Sequence, residues 1–137
     1  MTDVTELIET DHREVEGLFS KFKQAPSKDL AVQICEELDA HADAEEQVFY
    51  PAVRAEVTGG DKLAAEGKHE HSEARQLIGR IRNTEDGDHL TELVDQLEQA
   101  ITHHVHEEET EMLPKSRDAF GPERLEELGA EFEVAKP

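Results

Sequence analysis

A chain of 137 residues can bury a core unaided, and its one cysteine, Cys35, allows no internal disulfide. Its 34 acidic residues against 14 basic ones, a formal charge of −20, set up a field that repels phosphate, which argues against nucleic acid and anionic membranes as partners. No apolar run approaches membrane-spanning length, and the acidic start MTDVTELIETDH lacks the pattern of a secretory signal. A soluble cytoplasmic protein forming one domain over residues 1–137 is therefore expected.

Glycine, proline and capping residues divide the chain into long helical stretches. The first runs from about Asp3 to Lys23, opened by Asp3 with Glu6 in a capping-box pattern and closed by Pro26-Ser27. The second starts at Ser27 as N-cap and runs to Thr58-Gly59-Gly60. Asp61 is expected to cap the third, which reaches about Arg82, and Asn83 to Asp88 form a turn. The fourth runs from about Asp88 to Pro114 or slightly beyond. Gly121-Pro122 then opens a short fifth helix over about 121–134. Nothing alternates at period two for long enough to make a strand. The reading is all-α: an antiparallel up-down-up-down four-helix bundle over about 3–115 with a short C-terminal fifth helix.

Eight histidines are many for this length, and four fall on inward stripes. In the second helix, steps of three or four from Leu38 land on His41, Glu45 and Phe49. In the fourth, Leu97 and Ile101 lead to His104, Glu108 and Met112. His12 follows Ile8, and His71 lies between Gly67 and Ala74. Aligning Pro51 with Pro114 superposes HADAEEQVFYP on HVHEEETEMLP, so the histidine, the glutamate pair and the proline repeat at the same offsets. His69, His89, His103 and His106 fall off these lines and read as solvated or supporting groups.

A lone histidine on an apolar stripe is ordinarily a hydrogen-bonded core residue, and a lone His–Glu pair one turn apart is ordinarily a surface ion pair. Six such groups at one level are different. An ionised carboxylate in a core is costly unless paired, and the nearest inward neighbours are neutral imidazoles. A bound cation resolves this, since imidazole and carboxylate are its natural ligands. Six ligands suffice for two ions with positions left open. Phosphate-binding loops are absent, and Cys35 sits away from the histidine level.

His12, His41-x-x-x-Glu45, His71 and His104-x-x-x-Glu108 on four helices resemble the hemerythrin-like, or HHE, domain, over about residues 3–115. The resemblance implies two non-haem iron ions, bridged by both carboxylates and by an oxo or hydroxo group. It also implies a small-molecule ligand (O2, H2O2 or NO), handled either by reaction, such as catalase-like peroxide disproportionation, or by binding in a sensor or store. The oxygen-carrying hemerythrins have a further histidine where this chain has Arg75, and an aspartate five residues after the last histidine. Glu109 stands at that spacing here, and Glu108 at the spacing of the repeat. Tyr50 and Glu46 are candidates for the missing ligand, Tyr50 being expected to swing inward if Pro51 distorts the helix, or else to sit at the end of the core. Arg75 is expected to pair with Glu45 or Glu108, or to hold an anionic ligand. Iron, manganese and zinc all suit these donors. Leu125, Leu128 and Phe132 line one face of the tail, which either closes the bundle or forms a partner surface, giving a monomer or weak homodimer.

Overall fold

The structure, a computed structural model, describes residues 2–137. Helix α1 (Val4–Gln24) opens at Asp3, whose carboxylate accepts the Thr5 N–H at 2.6 Å, in place of a reciprocal box with Glu6. Ser27 Oγ caps α2 (Lys28–Ala44) by accepting the Leu30 N–H at 3.2 Å. This helix passes through a π-turn (Glu45–Phe49) into α3 (Tyr50–Glu56).

The corner that follows differs in detail from expectation. Helix α4 (Gly60–Arg82) is capped by Gly59 at φ 76°, not by Asp61, which lies in the first turn, where its charge faces the positive end of the helix dipole. A Cβ on Gly60 would lie 1.9 Å from the Val53 carbonyl oxygen, so the glycine pair is what lets α4 fold back against α3. Helix α5 (Asp88–Glu107) passes through a second π-turn (Glu108–Met112) into α6 (Leu113–Ala135). The fourth arm of the bundle thus runs well past Pro114, until Gly121 breaks it at φ 76° and ψ 169°. Proline is tolerated at 51 and 114 because each falls in the first turn after a π-turn.

The result is an all-α four-helix bundle in which α1 packs on α2 and α6, and α4 on α3 and α5. Two apolar clusters fill it. One joins Val15, Phe19, Ile34, Leu38, Ile78 and Leu97, and also buries Cys35, whose thiol burial pushes up to about 11. The other joins Val4, Ile8, Phe49, Leu113, Leu128 and Phe132. The tail face formed by Leu125, Leu128 and Phe132 is therefore covered within the chain and offers no apolar partner surface. The four stripe histidines, Glu45 and Glu108 are all buried, in a polar layer the two clusters flank. No described helix is long and apolar enough to cross a membrane.

Candidate metal centre

Both inward glutamates begin a π-turn. The Tyr50 N–H donates to the Glu45 carbonyl and the Leu113 N–H to the Glu108 carbonyl, each five residues back. The prolines that follow have no N–H to donate, and the wider turn absorbs that loss while the helix continues. Tyr50 itself stays helical at φ −62° and ψ −39°. Pro51 therefore leaves Tyr50 in the helix, and the distortion is taken up by the turn before it.

The two carboxylates lie between two histidine pairs. The His12 and His41 rings are 5.1 Å apart, and the His71 and His104 rings 4.8 Å. Glu45 Oε1 is 3.1 Å from Nε2 of both His41 and His71. Glu108 reaches His12 Nε2 at 3.1 Å and His104 Nε2 at 3.3 Å. Each carboxylate thus touches one histidine of each pair. Ligand atoms of His12, His41 and Glu108 converge within 4.8 Å, and so do those of Glu45, His71 and His104.

Every one of these imidazoles has a carboxylate on its outer nitrogen. His12 Nδ1 meets Glu109 at 2.6 Å, His41 Nδ1 meets Asp11 at 2.7 Å, His71 Nδ1 meets Glu46 at 2.7 Å, and His104 Nδ1 meets Glu70 at 2.6 Å. A carboxylate there holds the Nδ1–H tautomer and turns the Nε2 lone pair inward. Among the described residues, Nε2 of His12, His41 and His104, both Glu45 oxygens and Glu108 Oε1 are buried without a hydrogen-bond partner. They lie close to one another but form no hydrogen bonds among themselves. Six orphaned ligand atoms at one level fit a metal cation and little else, because unpaired buried polar groups are otherwise strongly unfavourable.

The hemerythrin HHE cation-binding domain matches residues 3–116. The chain belongs to this family. Two relatives are similar to the chain. An uncharacterized hemerythrin-like protein of Schizosaccharomyces pombe is 25% identical over 99% of the chain and 70% of its own length. A DNA nickase of Nostoc is 32% identical over 98% of the chain, which spans only 39% of that protein. The crystal structure of an HHE cation-binding domain-containing protein from Mycobacterium kansasii superposes with a TM-score of 0.82 over 99% of this chain and 88% of its own, at 23% identity, a likeness of fold.

Without a cation, this hemerythrin-type layer balances its charge by protonation. Burial opposes a charge on His12, His41 and His104, but the facing carboxylates outweigh it. His41 is pushed up to about 10, chiefly by Glu45 and Asp11. Burial would raise Glu108, yet His104 and His12 hold it well below the usual carboxylate range. A cation can take the place of those protons.

Tyr50 is 1% exposed and faces the layer, so it is no tyrosine at the margin of the core. Its hydroxyl donates to Glu108 Oε2 at 2.7 Å, lies 3.3 Å from His71 Nε2, and its ring stacks on His71. Burial and the Glu108 charge keep the phenol protonated well above its ordinary range. The space that Gly67 leaves belongs to this ring: a Cβ there would stand 2.6 Å from the Tyr50 hydroxyl. Arg75 pairs with Glu46 at 2.8 Å and Asp43 at 2.9 Å, so the expected contact with Glu45 or Glu108 is not formed. Glu46 and Glu109 support histidines from outside and face away from the shared level.

Three supporting residues escaped the sequence reading. Asp11 and Glu70 each directly precede a stripe histidine and hold the histidine of the next helix, a pattern visible as Asp11-His12 and Glu70-His71. Lys136, from the end of the tail, reaches Asp11 at 3.0 Å and Glu37 at 2.6 Å. Nothing in its local sequence announces that contact.

Proposed function

We propose that the protein is a non-haem di-iron protein that reacts with or binds a small oxidant or diatomic molecule. His12 and His41 would hold one ion and His71 and His104 the other, with Glu45 and Glu108 shared. What supports two ions is that each buried carboxylate faces one histidine of each pair. Bound iron would supply a Lewis acid and an electron store. Asp11, Glu46, Glu70 and Glu109 keep the imidazoles in the ligating tautomer. Tyr50 offers a proton at the edge of the layer, within reach of Glu108 and His71. The −20 charge favours cations and neutral molecules over nucleic acid as partners.

Peroxide disproportionation is the reaction to test first. Two H2O2 yield two H2O and one O2, one peroxide being reduced and the other oxidised. Oxygen release measured on an electrode with iron-loaded protein, and lost in His71→Ala, is the expected result. No oxygen, with a reversible spectral change on adding NO or O2, assigns the protein to binding instead.

One observation favours that second reading. A cavity of about 30 Å³ reaches all four histidines and is walled largely by Val15, Leu38, Ala74, Ile78 and Ile101. An aliphatic chamber of this size suits an uncharged diatomic molecule better than a hydrogen-bonding peroxide.

A further inference from the structure

Three of the four carboxylates that hold a histidine Nδ1 are held in turn by a fixed cation. Glu109 has Arg13 at 2.5 Å, Glu46 has Arg75 at 2.8 Å, and Asp11 has Lys136 at 3.0 Å. Glu70 is the exception. One oxygen takes His104 at 2.6 Å, and the other faces the exposed His103 at 3.5 Å. Glu107 meets the same His103 at 3.1 Å. Glu66 and Glu111 stand one turn from Glu70 and Glu107 along their helices, both exposed. Among the described residues, none of these four glutamates pairs with a lysine or arginine. Like charges one turn apart along a helix repel each other, so Glu66 with Glu70 and Glu107 with Glu111 are each unfavourable pairs.

Beneath the patch lies a cavity of about 20 Å³, lined by Glu66, Glu70, Glu107 and Glu111 outside and by His104 and Glu108 inside. The inner pair are 5% and 2% exposed, and His104 Nε2 and Glu108 Oε1 are among the atoms with no partner. Among the described residues, no lysine or arginine lines the cavity; Lys62 and Lys115 sit on a neighbouring groove at its rim. Its volume admits one water or a largely dehydrated ion.

We propose that this flank is the door through which divalent cations reach the buried centre. The four glutamates exchange their oxygens for the cation's water and pass it inward to Glu108 and His104. Arg13, Arg75 and Lys136 neutralise carboxylates on the other three flanks, whereas this flank keeps four glutamates with no paired lysine or arginine and so draws cations most strongly. The aliphatic cavity beside Arg75 then remains for the neutral ligand. The door rests on the metal-centre reading above, and its test separates the two.

Co2+ uptake by the metal-free protein, followed by stopped-flow absorbance at low ionic strength, tests the door. In Glu66→Gln/Glu107→Gln/Glu111→Gln the second-order uptake rate should fall about tenfold or more, while final stoichiometry stays at the wild-type value. The variant Glu123→Gln/Glu126→Gln/Glu133→Gln loses the same charge from exposed tail positions and should keep the wild-type rate. Lys62→Gln/Lys115→Gln should load faster than wild type. Equal rates in the two triple variants would overturn the door while leaving the metal centre standing. A wild-type protein that takes up no Co2+ would overturn both.

Discussion

The two halves of the molecule repeat one local device and then part company. Glu45 and Glu108 each open a π-turn, each follows a histidine by one helical turn, and each is succeeded by a carboxylate that holds a histidine in the other half of the chain. Five residues after the glutamate the halves differ: Tyr50 in the first, Leu113 in the second. Both are buried, but Tyr50 reaches Glu108 and His71 while Leu113 packs in the apolar cluster. The repeat sets up the shared layer of histidines and carboxylates. The difference at 50 and 113 makes one side of that layer chemically distinct.

The symmetry can be broken first at the carboxylates. Glu45→Gln and Glu108→Gln should each lower metal content to one ion or none, measured by elemental analysis after iron loading. A half that tolerates the change would show that its carboxylate is not shared. Chelation should have the next largest effect. A ligand present at about a thousand times its Kd stabilises by about 4 kcal/mol, so removing the metal should lower Tm by roughly 10 °C or more.

The glycines sharpen the contrast at Tyr50. Gly67→Ala places a methyl 2.6 Å from the tyrosine hydroxyl, and overpacking of that kind costs about 1–3 kcal/mol. Gly79 lies in the same helix with nothing within 4 Å of its Cβ position, so Gly79→Ala should stabilise by up to about 1 kcal/mol. Urea melts of the two variants should therefore move in opposite directions. Tyr50→Phe removes the hydrogen bond to Glu108 and should cost about 1.5 kcal/mol in the metal-free protein.

The same layer makes stability depend on pH. His41 is raised from 6.5 to about 10 without metal, so its contribution is fully present below pH 6.5 and lost as pH rises through about 10. The metal-free protein should lose stability across that window, whereas the loaded protein should not, because a ligating imidazole is already neutral. Thermal melts at pH 6 and pH 9.5, with and without metal, measure this.

Much of this architecture is legible in the residues. Period-3.6 stripes place His12, His41, His71 and His104 inward, because one buried face per helix dominates the pattern. Tyr50 is harder to place. A π-turn changes the phase of the helix after Glu45, so a reading at constant period puts position 50 off the stripe. Asp11 and Glu70 carry one signal, their place directly before a stripe histidine, and it is weak among 34 acidic residues. Lys136 and Asp11 meet only because the tail folds back along α1, a contact between chain ends with no local signal. The fourth arm outruns its expected end because Pro114 looks like a terminator, and the π-turn before it removes that effect.

The most direct test is the number of metal ions per chain in protein expressed with iron in excess. Two irons per chain is the predicted result, since each carboxylate faces both histidine pairs. A single ion per chain, or none, would contradict the shared centre.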